Sequence, residues 1–367
     1  MCGEHEHISL NISRKQSLFL KCIAICAMLC HHAFCFPPDG YGTDFGVVAH
    51  TIGEVGKVCV ALFLFVSGYG LCSQFNKLML NALPPPITNV LNYGWHERII
   101  RWKIVASVTI KFELRRFKRF YLNYWAVFIV FVPIGVFVFN RPLSEFYGEN
   151  VNLIKAVLID LLGVRGFGSY NITWWFNKVI IGFYLMFPLL YFGVRKCGWL
   201  VLLASMVWMK YNPFSALGYW HDWLFPFVLG MCAVQFNDLL ERFFNKIGFG
   251  WSIAFAVLFT MFWILCRKYG FIPYFQSIRC DGFISLGLYF MIALMPVPNW
   301  MDLIMSFIGR HSSNVYMTHT FIYSRWLPWL IYTVHYSAIV FIWLLVVCLV
   351  ISWLLEFVKS KCGVFKI

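Results

Sequence analysis

The chain has 367 residues, of which 60% are hydrophobic, 20% aromatic and only 13% charged. Soluble domains are about 45–50% apolar and about a quarter charged, so this composition excludes a disordered chain, a secreted disulfide scaffold and an ordinary cytosolic enzyme. The net charge of +14, from 30 Lys+Arg against 16 Asp+Glu, fits basic residues held on the inner loops of a membrane protein rather than a nucleic-acid surface.

The expected fold is all-α: one polytopic membrane bundle of about ten transmembrane helices. Residues 1–16 read as an N-terminal tail. Its Cys2, His5 and His7 fit a flexible segment better than a metal site. The first apolar run starts at Ser17, after Arg14 and Lys15. It is too long and too polar inside for a cleaved signal, so it reads as a retained span. Candidate spans follow near 17–36, 54–73, 120–140, 173–194, 197–211, 222–236, 250–266, 282–297, 312–332 and 337–357. The piece near 151–164, with Lys155 and Asp160, is too short to cross and reads as re-entrant or surface-lying. Most of the 13 Cys lie inside apolar runs and act as small hydrophobes. No CxxC pair stands near another, so no metal is expected.

Residues 94–120 set the orientation. They hold eight basic residues against Glu97 and Glu113, a local net of +6, which is a cytoplasmic signal. The same rule puts Arg14, Lys15, the Arg195–Lys196 turn and a tail over 358–367 (Lys359, Lys361, Lys366) in the cytoplasm, leaving 17–357 as the membrane domain. The first outer loop, Pro37 to Gly53, has Asp39 and Asp44 and no Lys or Arg. Arg267, Lys268 and Arg279 fall on the outer side, against the rule. They are candidates to line a cavity for an acidic substrate.

Ionisable groups inside spans usually face a cavity or a partner. Lys21 and His32 are eleven residues apart in the first span, close to three turns, so both point one way about 16 Å apart along the axis. His31 is rotated roughly 100° from His32. The bland alternative is a snorkelling Lys21 and histidines that hydrogen-bond a neighbouring helix. In LFLFVSGYG, Ser67, Gly68 and Gly70 permit close helix packing. Arg116 and Arg119 share a helix face and suit phosphate binding, or serve topology alone. Trp174, Trp175 and Phe176 open the span that holds Lys178, Tyr184 and Pro188, and read as an interfacial belt. Tyr316 and His319 lie one turn apart, with Ser312 or Asn314 as a possible cap. Arg325 marks the end of that span.

Lys21-x10-His32, LFLFVSGYGL, RRFKRFYLNYW, TWWF with Tyr184 and Pro188, and IGRHSSNVYMTHTF occur in that order. Together they make the chain similar to the acyltransferase 3 family of integral-membrane O-acyltransferases, from about Ser17 to about Phe357. The resemblance implies about ten spans, cytoplasmic acyl-coenzyme A (usually acetyl-CoA) as acyl donor, and a hydroxyl of a surface glycan or lipid-linked sugar as acceptor. It implies a multi-pass protein of the inner or plasma membrane. By the same resemblance His32 is the essential histidine, paired with the basic Lys21. Arg116 and Arg119 meet the coenzyme A phosphates, and Ser67, Gly68 and Tyr69 form the Ser-Gly-aromatic motif, of which Ser67 and Tyr69 are expected with the two arginines in the coenzyme A site. Trp174, Trp175, Tyr184, Tyr316 and His319 are substrate or structural candidates. Lys21 replaces the more stringent Arg, and Lys178 is not part of the pattern. With no appended hydrolase-like domain, a stand-alone member is expected. His32 has the pKa range of a general base; a transient acyl-His is the alternative.

The competing reading is a proton-coupled transporter or polysaccharide exporter. It predicts similar halves and intramembrane acids. No repeat relates 1–180 to 181–367, and the spans are nearly free of Asp and Glu. A non-enzymatic scaffold gives no reason for the Lys21/His32 stripe.

Overall fold

The computed structural model describes residues 7–41, 45–83, 95–211, 220–272, 277–295 and 297–361. Cys2, His5, Asp44 and Lys366 lie outside the described residues. Among those described, the chain is helical and forms no β-strand. The helices are α1 (Arg14–Cys35), α2 (Gly46–Gly56), α3 (Cys59–Ala82), α4 (Trp95–Phe137), α5 (Leu143–Tyr147), α6 (Leu153–Leu161), α7 (Trp175–Tyr211), α8 (Trp220–Gln235), α9 (Asn237–Ile247), α10 (Phe249–Tyr269), α11 (Asp281–Leu294), α12 (Asn299–Thr320), α13 (Pro328–Tyr332) and α14 (Ser337–Lys361).

Among the described residues six helices are long and apolar enough to cross a membrane, and a seventh counts if the pair α8–α9, bent by 72°, is one broken span. The protein is therefore a membrane protein. The shortfall from the expected count has physical causes. Helix α11 is short, and α12 carries Asp302, Arg310, His311 and His319, which lower its hydropathy. Helix α7 contains two expected spans. Cys197 leaves helical geometry (φ −140, ψ 49), and a Cβ on Gly193 would meet Val201 Cγ2 at 3.2 Å. Eight residues of straight helix would separate them by about 12 Å, so α7 folds back on itself here.

Burial separates centre from rim. The apolar stretch of α2–α3 is 67% buried, against 28% for α10 and for α14. Helix α3 is thus central, while α10 and α14 present broad apolar faces outward. The motif glycine Gly68 lets α3 meet α8, since a Cβ there would collide with the Phe227 carbonyl. A second close approach positions the site: Gly309 of α12 lies against the Leu18 carbonyl of α1. Further along, His319 lies against His32, so the two helices run parallel with their C-terminal ends together.

Helix α1 begins with a capping box, Ser13 and Gln16 exchanging side-chain and backbone bonds. The residues before it are tied down. Ile8 N–H donates to Asn245 Oδ1 (2.9 Å) and Leu10 N–H to Glu241 Oε1 (2.8 Å). Tyr289 donates its hydroxyl to the Leu10 carbonyl (2.7 Å), and Leu10 is fully buried. At the other end α14 continues to Lys361. Lys359 is buried and donates to Asn314 Oδ1 (2.7 Å) and Glu356 Oε1 (2.9 Å).

Candidate functional site

A cavity of about 970 Å³ opens at the C-terminal end of α1. His31 and His32 enter it from α1, Trp175 and Phe176 from the start of α7, and Tyr316, His319 and Thr320 from the end of α12. Past Thr320 the chain makes one π-helical turn, Phe321–Trp326. That turn carries Tyr323 and Arg325 to the cavity wall.

The histidines differ in their bonding. His31 donates its Nδ1–H to the Gly53 carbonyl (2.8 Å). His319 is fully buried, with Nδ1 2.8 Å from the Tyr316 carbonyl and 3.2 Å from that of Val315. His32 makes ring contacts instead: its centroid lies 4.8 Å from His319, 5.3 Å from His31 and 6.0 Å from Tyr323.

The wall behind them is a hydrogen-bonded scaffold. Asn171 caps the 3-10 turn Ile172–Trp174 by accepting from Thr173 N–H. Tyr316 donates to the Thr173 carbonyl (2.7 Å), and Trp174 Nε1–H to the Met317 carbonyl (3.0 Å). Upstream, buried Asp160 of α6 accepts from Tyr147 hydroxyl (2.8 Å) and Tyr170 N–H (2.7 Å), fixing the loop that leads to Asn171. Burial holds the Asp160 carboxyl above the usual carboxylate range, against the downward pull of those hydrogen bonds. The short piece at 151–164 is thus a packed brace for the site.

The expected site residues fall into two groups. His32, His319, Tyr316 and Trp175 line the cavity, with Trp174 buried directly behind. Lys21, Arg116, Arg119 and Tyr184 lie at the other end. Lys21 is within electrostatic reach of Arg116 and Arg14. Arg116 donates to Gln74 Oε1 and its guanidinium lies 5.2 Å from the Phe112 ring, whereas Arg119 is exposed. Tyr184 packs on Phe117 at 5.9 Å between ring centroids. Ser67 and Tyr69 belong to neither group: Ser67 sits within α3, and the Tyr69 hydroxyl accepts from Ile12 N–H (3.2 Å).

Two expectations meet different outcomes here. Arg267, Lys268 and Arg279 are not in the cavity wall. Arg267 Nε instead donates to the fully buried Asp281 carboxylate (2.7 Å), a structural pair. The cations that do reach the wall are Lys57, Arg141 and Arg325. Arg141 and Arg325 flank Glu145 at 3.1 and 4.0 Å. Lys178, which had no role in sequence, lays its stem near Gly166, where φ is +76.

Sequence reasoning missed Asn171, Thr173, Thr320, Tyr323 and Arg141. Two signals were present: the Asn-x-Thr cap before the aromatic run, and Tyr323 one turn beyond His319.

A family model described as an acyltransferase domain, that of the acyltransferase 3 family, matches residues 19–357. The chain belongs to the acyltransferase 3 family. No curated protein and no solved structure matches it. Family membership makes the protein a membrane acyltransferase, with an acyl donor and an acceptor as its substrates. In this acyltransferase the matched region includes both groups of residues, the cavity histidines and the cationic end of α4. It gives no support to the transporter reading.

Proposed function

We propose that the protein is an O-acyltransferase that moves an acyl group, acetyl in the simplest case, from cytoplasmic acyl-coenzyme A to a hydroxyl of a surface glycan or lipid-linked sugar. In this reading it spans the inner or plasma membrane about ten times with both termini in the cytoplasm. Arg116 and Arg119 receive the donor's phosphates on the cytoplasmic side. The pantetheine arm runs along α1 past Lys21, which positions it. Ser67 and Tyr69 shape the packing beside that path. The acceptor enters the cavity against Trp175 and Tyr316.

The observation that carries the proposal is the placement of His32. It lies in the cavity wall, its ring has no hydrogen bond among the described residues, and it sits about three helical turns from Lys21. As general base it takes the proton of the acceptor hydroxyl. The oxygen bonds to the acyl carbon, the C–S bond breaks, and the coenzyme A thiolate takes up the proton. His32→Ala is expected to abolish transfer of labelled acetyl from acetyl-CoA to a glycan extract while leaving membrane insertion intact. Undiminished transfer by that variant would refute the proposal. Mass analysis of surface glycans with and without the gene then identifies the acceptor by its added acyl mass.

A further inference from the structure

His319 has a tautomer fixed by its surroundings. Both groups near its Nδ1 are carbonyl oxygens, of Tyr316 and Val315. Carbonyls only accept, so Nδ1 carries the hydrogen and Nε2 of the neutral ring keeps a lone pair. Among the described residues one polar group approaches that lone pair, the Thr320 hydroxyl at 3.4 Å. Its single hydrogen goes elsewhere. Thr173 donates its own hydroxyl hydrogen to Asn171 Oδ1 (2.7 Å), which also accepts from Thr173 N–H (3.0 Å). A hydroxyl has one hydrogen, so toward Thr320 Oγ1, 3.2 Å away, Thr173 is the acceptor and Thr320 the donor. The chain Asn171–Thr173–Thr320 therefore leaves His319 Nε2 as an unfilled acceptor. The ring it can serve is His32, in contact at 4.8 Å between centroids and without a hydrogen bond among the described residues.

We propose that His319 is the positioning partner of His32: a small turn of the His32 ring, already in contact with His319, brings the hydrogen on one of its nitrogens to His319 Nε2 while the other nitrogen faces the acceptor hydroxyl. This rests on the reading of His32 as the base. It completes the logic of a nucleophile, a base and a group that orients the base, with a neutral imidazole in the orienting place. The acceptor proton moves to the free nitrogen of His32 as the new O–C bond forms. The C–S bond breaks, and His32 returns that proton to the thiolate. His319 gains and loses no proton; it stabilises the imidazolium while it exists. Thr173 and Asn171 act one step further back, by holding the Thr320 hydrogen away from Nε2.

The other ionisable groups of the cavity are His31, Asp39, Lys57, Arg141, Asp222 and Arg325, with the Cys59 thiol and the hydroxyls of Tyr41, Tyr316 and Tyr323. All stay unchanged in the test. His319→Leu keeps the approximate volume and removes the acceptor. His319→Gln places an amide oxygen near the position of Nε2. The full-length proteins, in membrane vesicles with a glycan extract, are compared for transfer of labelled acetyl from acetyl-CoA across pH. For the Leu variant the maximal rate is expected to fall about tenfold or more. Its acid limb moves to lower pH, because a base without its partner is protonated less readily. The Gln variant is expected to restore the limb and most of the rate. A Leu variant with the parent's rate overturns the proposal, and so does a slowed Leu variant whose acid limb stays in place, which is the behaviour of a purely structural residue. Retained transfer by His32→Ala would instead remove the base reading itself, so the two failures are distinguishable.

Discussion

His31 donates its Nδ1–H to the Gly53 carbonyl, 2.8 Å away, and so ties the end of α1 to α2. The bond occupies the one polar edge of His31 that the packing fixes, while His32 is left to face His319. His31→Ala is therefore expected to act mainly on stability, costing about 1 kcal/mol for the lost hydrogen bond. Transfer by that variant is expected to fall only a few-fold, against complete loss in His32→Ala. Thermal unfolding in detergent and the labelled-acetyl assay separate the two effects. Equal loss of transfer from both variants would contradict the division of roles.

The parallel packing of α1 and α12 sets the distance between the cavity histidines. A Cβ on Gly309 would run into the Leu18 backbone, so Gly309→Ala forces the helices apart at their closest approach. Overpacking of this kind costs about 1–3 kcal/mol. The expected outcome is a lower unfolding temperature together with a fall in transfer larger than that of His31→Ala, because the strain is passed to the His32–His319 contact. A variant that is destabilised yet transfers at the parent's rate would show that the pair tolerates a shift of α12.

What was legible in the sequence follows from what is local. The apolar runs of the six long helices, the turn at Arg195–Lys196, the basic end of α4 and the pairing of Tyr316 with His319 on one helix all depend on short-range spacing. The side chains that complete the cavity are not local. Thr173 meets Thr320 across 147 positions of chain, and Arg141 reaches the Arg325 carbonyl across 184. No periodicity carries such information. The same limit explains the basic residues after α10. Arg267 looked misplaced by charge counting alone, because its partner Asp281 lies fourteen positions on, in another helix.

Asp160 gives the site a pH dependence of its own. Its carboxyl, outside the candidate spans, is held above the usual range chiefly by burial. The folded state therefore binds the proton more tightly than the unfolded chain, whose Asp titrates near about 3.9. Stability from this group is full below that value and declines as pH rises through the folded value. Asp160→Asn is expected to flatten this part of the stability profile. Unfolding temperature measured from acid to neutral pH tests it; a variant profile parallel to the parent's would rule out Asp160 as the source.

Arg116 and Arg119 share a helix face but not an environment. Arg116 is already engaged by Gln74 and packed over Phe112, whereas Arg119 is exposed and free to turn toward an anion. If the pair receives the phosphates of the donor, Arg119→Glu alone is expected to weaken coenzyme A binding by about tenfold or more, the worth of a hydrogen bond to a charged group. The double reversal weakens it further. Arg116→Glu adds a stability loss, since it removes the guanidinium packed over the Phe112 ring. Displacement of labelled coenzyme A from vesicles reads the binding. The parent's affinity should fall with added salt, and the Arg119→Glu variant's should fall less steeply. Binding unchanged in both single variants and in the double reversal would return this stretch to the role its net charge first indicated, that of fixing the orientation of the bundle.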